Sequence, residues 1–170
     1  GHSMGGKTAM KFAQNYPSML NKLVIADIAP RAYEVHHHEI LTGLKAIDLA
    51  KIQKRSEADK VLQHYIPEIG VRQFLLKNLY WPEKGRLAWR FNLNVISENI
   101  EQIGEAINDQ QYVGETLFVR GERSNYIQDS DKEIIDIYFP NAIIETIANS
   151  GHWLHAEQPE IGRASCRERV

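Results

Sequence analysis

Gly1-His2-Ser3-Met4-Gly5 sets one serine between two glycines in the pattern G-x-S-x-G. This spacing suits a sharp turn that ends a strand and opens a helix, with the serine hydroxyl at its tip. Gly1 and Gly5 are expected to leave room for the backbones to close around it. The same turn aims the Met4 backbone N–H at a developing oxyanion, beside the positive end of the following helix. A serine hydroxyl needs a base within hydrogen-bond reach, and the base needs a group that orients it. His152 is the candidate base, in the loop Ala148-Asn149-Ser150-Gly151-His152. Serine first and histidine last is a chain order such sites use. A glycine-rich turn or a loop histidine alone has a purely structural reading. Together they point to acyl transfer through a covalent intermediate.

The third member is open among four carboxylates. The usual place for the acid follows the run Thr116-Leu117-Phe118-Val119, but the segment there reads Gly121-Glu122-Arg123-Ser124-Asn125 and holds no aspartate. Glu122 is one candidate. Asp129 and Asp131 come later, where a helix is expected to start, and suit helix caps. Asp27 ends the run Leu23-Val24-Ile25-Ala26 on the same edge of the sheet as the turn, although an aspartate before Pro30 also suits a turn.

Other chemistry is weaker. Gly1 to Thr8 also satisfies the bare string G-x-x-x-x-G-K-[ST], so a P-loop nucleotide-binding protein is the alternative from another mechanistic class. It would leave His152 without a role. His36-His37-His38 invites a metal reading, but consecutive residues on a helix point different ways and no carboxylate pattern completes a site. No metal and no cofactor are expected. Phe74, Trp81, Trp89 and Phe91 could line an acyl pocket or simply pack a core. A third reading is a non-catalytic scaffold of the same fold, against which the intact Ser3 and His152 argue.

The elements that must position these residues follow from the apolar pattern. Lys7 to Asn15 reads as a helix with Ala9, Met10, Phe12 and Ala13 on its apolar side, ended by Pro17. Runs 23–26 and 116–119 read as buried parallel strands, 142–147 as a third strand, and 131–139 as a helix. Residues 31–112 are richer in charge, with helices expected near 38–52, 56–65, 68–79 and 96–108 and a short extended piece at Trp89–Leu93. Ser56 and Asp59 resemble a capping box. The order is that of a doubly wound, mostly parallel α/β sheet carrying an inserted helical segment. The expected division is a core at 1–30, a helical cap at 31–112, core again at 113–160, and a tail at 161–170.

With 170 residues and a formal net charge of -2, the chain has an ordinary globular composition and no basic footprint for nucleic acid. No apolar run has the length of a membrane span. The tail IGRASCRERV resembles a translated sequencing adapter and is expected to be non-native. Setting it aside removes Arg163, Arg167 and Arg169 against Glu168, and the lone cysteine, Cys166. A protein without thiol pairs suits a reducing compartment such as the cytoplasm.

The segments GHSMGGK, NKLVIADIAP, QFLLKN, WRFN, LFVRGERSNYI and SGHWLHAEQP together resemble the YbfF-type esterases of the α/β-hydrolase superfamily over nearly all of residues 1–160. DIAP followed by a tyrosine and the GHW-x-HAE-x-P ending are the more specific parts. The resemblance implies that the acid is Asp27, in the DIAP segment, and that Ser124 stands in the usual acid position as a supporting residue. It implies an enzyme that hydrolyses acyl esters and acyl thioesters of the acyl-CoA type under a helical cap, with a small-molecule substrate. It also implies a partial fold, the C-terminal part of the hydrolase sheet, so that residues 1–170 by themselves are expected to be inactive. Oligomeric state and acyl chain length are not legible.

Overall fold

The computed structural model describes residues 1–34 and 38–159. His36 and His37 of the histidine run, and the tail at 161–170, lie outside the described residues. Along the chain, α1 (Met4–Asn15) leads into β1 (Leu23–Ala26). A second stretch holds α2 (His38–Lys45), α3 (Arg55–Leu62), α4 (Ile69–Leu76), β2 (Leu79–Glu83), β3 (Arg86–Trp89), α5 (Leu93–Glu98) and α6 (Ile100–Gly104). The third holds β4 (Thr116–Gly121), α7 (Lys132–Tyr138), β5 (Ala142–Ile147) and α8 (Leu154–Glu157).

The chain divides into two compact units, one of residues 1–33 with the chain from Glu105 on, the other of residues 34–104. The limits of the inserted unit differ from the 31–112 expected. Ile107 and Tyr112 are buried in the core of the first unit. Their backbone N–H groups donate to Pro30 O at 2.7 Å and Tyr138 O at 2.9 Å. A segment whose apolar side chains and backbone donors are both satisfied in the first unit belongs to it.

In the first unit, β1, β4 and β5 form a parallel sheet in the order β1-β4-β5. The residues before the serine extend it, since His2 pairs with Ala26 as a parallel bridge beside β1. Alternation sends Leu23 and Ile25 to one face and Val24 and Ala26 to the other. On the first face Met10 and Ala13 of α1 pack with Ile25, Phe118, Ile135 and Phe139. On the second, Leu154 of α8 packs with Leu117, Val119 and Ile147. Burial on both faces explains why β1 and the start of β4 read as continuous apolar runs.

The second unit has its own core of Leu44, Ile47, Ala58, Leu62, Ile66, Leu76, Leu79 and Leu87. It is mostly helical, but β2 and β3 pair antiparallel where the sequence suggested a helix running to 79 and extended chain from 89. Gly85, at φ 79, makes the tight turn between them. Helix α3 starts at Arg55, and Glu57 rather than Asp59 caps it, accepting from the N–H groups of Gln53 at 2.8 Å and Lys54 at 3.3 Å. Asp59 is paired with Arg72 at 2.8 Å.

Candidate active site

Ser3 sits between the extended residues beside β1 and the first turn of α1. Its N–H donates to Ala26 O at 3.0 Å, and its carbonyl accepts from Gly6 N at 2.8 Å and Lys7 N at 3.2 Å. Anchored on both sides, the residue holds φ 52 and ψ -125, a conformation L residues rarely adopt. Such strain costs about 1–3 kcal/mol and persists only where the surroundings over-determine it. The steric reason for the glycines differs from the expectation. A Cβ on Gly1 would stand 2.2 Å from Gly5 O, but one on Gly5 would meet nothing within 4 Å. The tight partner is instead Gly6, where a Cβ would lie 2.5 Å from Ile28 Cγ2. Met4 is the first residue of α1, so its N–H has no intrahelical acceptor.

Asp27 follows β1 directly and also has a positive φ, 51°. Its N–H donates to Val119 O at 2.8 Å, which fixes it against β4. The residue is 0% exposed. Three donors converge on its carboxylate. Gly121 N–H reaches Oδ1 at 3.0 Å, His152 Nδ1 lies 2.8 Å from Oδ2, and the Ser124 hydroxyl donates to Oδ2 at short range. A carboxylate oxygen only accepts, so Nδ1 carries the imidazole proton and Nε2 is left as an acceptor. Nε2 lies 3.0 Å from Ser3 Oγ. The three side chains thus form one hydrogen-bonded line, from a buried anion through an imidazole to a hydroxyl on a strained turn. Such a line can take the hydroxyl proton as the oxygen attacks and return it to a leaving group.

The other carboxylates are engaged elsewhere. Glu122 accepts from Asn149 N at 2.7 Å. Asp129 pairs with Arg120 at 2.6 Å, and Asp131 pairs with Arg31 at 2.9 Å while accepting from Gln128 N at 2.8 Å. The segment after β4 contributes Ser124 and the Gly121 N–H in place of an acid.

Several neighbours carried no signal in the sequence. The Tyr126 ring stacks on the His152 imidazole with centroids 4.0 Å apart and planes 23° from parallel. Its backbone N–H donates to Ser124 Oγ at 3.2 Å, and its carbonyl accepts from the Tyr33 hydroxyl. Burial pushes the Tyr33 phenol up to about 12, so it stays a neutral donor. His2 Nε2 lies 2.8 Å from the His152 carbonyl, and burial holds its pKa below the ordinary histidine value. The histidine loop is also held from outside, with Gly151 N donating to Glu157 at 3.0 Å and Arg123 N to Ser150 O at 2.8 Å.

Lys7 bears on the nucleotide-binding alternative. It is 6% exposed, and its ammonium donates to the carbonyls of Arg31 at 2.5 Å, Glu105 at 2.6 Å and Pro30 at 3.4 Å. Burial, with the nearby Arg31 adding, lowers its pKa to about 8. A P-loop lysine must reach into a phosphate cradle. This one is committed to protein carbonyls. Of the aromatic residues, Trp89 and Phe91 stack at 5.3 Å against the core of the second unit, while Phe74 and Trp81 are about half exposed.

No family model matches the chain. It is 38% identical over 167 residues to the mouse sn-1-specific diacylglycerol lipase ABHD11, covering 94% of this chain and 54% of that one. It is 35% identical over 161 residues to esterase YbfF of Escherichia coli, covering 94% of this chain and 61% of that one. The chain spans about half the length of the curated relatives it matches. Among solved structures, a marine microorganism esterase superposes with a TM-score of 0.92 at 40% identity, over 100% of this chain and 68% of that one. With that identity and that share of the fold in common, the chain belongs to the α/β-hydrolase superfamily, within the group that holds the YbfF-type esterases.

Proposed function

We propose that the full-length protein is a serine hydrolase that cleaves carboxylic esters or acyl thioesters through an acyl-enzyme. The observation that carries the reading is the hydrogen-bonded line from Asp27 through His152 to Ser3, at 2.8 Å and 3.0 Å. Ser3 Oγ attacks the acyl carbonyl while His152 Nε2 takes its proton. Asp27 holds Nδ1–H and stabilises the imidazolium that forms. The Met4 N–H donates to the developing oxyanion. The tetrahedral intermediate collapses as His152 returns the proton to the departing alkoxide or thiolate, leaving an acyl-serine. Water, deprotonated by the same imidazole, then releases the acid and restores Ser3. Ser124 keeps the buried carboxylate solvated by protein donors. No cofactor enters these steps.

An ester is favoured over a thioester because several relatives above 30% identity bear esterase and lipase names. The inserted unit is read as the cap that selects the acyl group, and a reducing, cytoplasmic setting is part of the same proposal. No described helix is long and apolar enough to cross a membrane.

The test is hydrolysis of short-chain p-nitrophenyl esters and matched acyl-CoA thioesters by the full-length protein and its Ser3→Ala variant. Turnover that depends on Ser3, with kcat/KM higher on the ester, supports the proposal. Turnover unchanged in Ser3→Ala would remove it.

A further inference from the structure

His2 occupies the first variable position of G-x-S-x-G, where the pattern makes no demand on the side chain. Its backbone is immobilised by the bridge to Ala26 and by the Ser3 N–H bond to Ala26 O. From that base its ring lies within the turn that carries His152. Ring centroids are 4.7 Å from His152, 4.9 Å from His155 and 5.7 Å from Trp153. The His152 carbonyl, which only accepts, lies 2.8 Å from His2 Nε2, so His2 is held with its proton on Nε2. Residues 149–151 are tied down by Glu122, Arg123 and Glu157. Those bonds stop one residue short of the imidazole. The His2 bond acts on the residue that carries it, and it starts one residue before the serine.

We propose that His2 is a positioning residue of the Ser3–His152–Asp27 site: its Nε2–H grips the His152 carbonyl and sets the distance between imidazole and hydroxyl. The inference rests on the serine-hydrolase reading above. It is a claim about a donor at one point in space, so it distinguishes glutamine, whose amide N–H₂ reaches the place of Nε2, from side chains of similar size without an N–H. Burial that disfavours the imidazolium keeps the donor neutral near pH 7, so the bond adds no like charge beside the base.

The test uses the full-length protein, with kcat and KM on a short-chain p-nitrophenyl ester at pH 8 for His2→Leu, His2→Gln and His2→Glu. A misplacement on the order of 1 Å costs about a hundredfold, so His2→Leu and His2→Glu are expected to lose about ten- to a hundredfold in kcat with KM within about twofold. His2→Gln is expected to recover to within about threefold of wild type. The proton spectrum of the folded chain supplies an independent reading. The low-field resonance of His152 Nδ1–H, sharp in wild type and His2→Gln, should broaden or shift in His2→Glu. If His2→Leu fails to fold, the Gln and Glu pair still decides. Equal activity of Gln and Glu variants, or a Leu variant within twofold of wild type, would overturn the proposal. Loss of the serine-hydrolase reading shows differently, as activity surviving Ser3→Ala, and leaves the spectroscopic comparison intact.

Discussion

Replacing Asp27 by asparagine changes one atom and probes the whole hydrogen-bonded line. The carboxylate is fully buried and accepts from Gly121 N–H, the Ser124 hydroxyl and His152 Nδ1–H. An asparagine amide offers one oxygen and an N–H₂ group to the same three partners. Gly121 N–H cannot reverse its role, so the amide oxygen is drawn to it. Ser124 can rotate and accept. His152 then faces a donor, and its proton must move from Nδ1 to Nε2. In that tautomer the imidazole presents N–H to Ser3 and cannot take its proton. The same change in a serine protease triad costs about 10⁴ in kcat, equivalent to about 5.4 kcal/mol at 1.36 kcal/mol per tenfold. We expect a loss of about that size in Asp27→Asn, measured as kcat on a p-nitrophenyl ester, with the circular dichroism spectrum retained. Asp129, with its side chain 93% exposed and paired with Arg120, is the control, and Asp129→Asn should stay within about twofold. An Asp27→Asn enzyme within about tenfold of wild type would refute the reasoning.

Two further outcomes follow from the packing and the charges. Gly6→Ala should lower stability by about 1–3 kcal/mol, because its Cβ would overlap Ile28 Cγ2 at 2.5 Å; Gly5→Ala, in open space, should change the thermal midpoint little, and equal effects would contradict the steric account of the turn. The folded-state pKa of His2 lies below 6.5, chiefly through burial, with His152 and His155 also lowering it and the bond to the His152 carbonyl and Asp27 opposing. The unfolded chain therefore binds the proton first as pH falls, so this group removes stability below about pH 6.5; in urea unfolding from pH 7.5 to 5, His2→Gln should lose less stability than wild type, and parallel curves would contradict the assignment.

What was legible in the sequence divides along physical lines. Strands β1 and β4 could be read because both of their faces are largely covered, which makes each a short apolar run; β5 interrupts its apolar residues with Glu145 and Thr146 and exposes Ile143. The hairpin of β2 and β3 was not, since Leu79–Glu83 carries Pro82 and exposed residues that break the alternation. Its cue was Gly85 between two runs rich in aromatics. Ser3 and His152 could be named from residue type and chain order. The acid could not be chosen by spacing, because the choice depends on where β1 ends against β4. The resemblance supplied Asp27, and the geometry brings that carboxylate to 2.8 Å from the imidazole. His2 and Tyr126 stayed invisible because their contacts with His152 are set by sheet order and ring packing, for which neither residue type gives notice.

The central claim is that Ser3 becomes acylated. Full-length protein mixed with a short-chain p-nitrophenyl ester, quenched in acid during the burst and digested with trypsin, should yield the peptide ending at Lys7 with one acyl group added at Ser3, and no adduct in Ser3→Ala. Steady turnover with the acyl group on another residue, or with no adduct at any quench time while p-nitrophenol is released in a burst, would contradict the account.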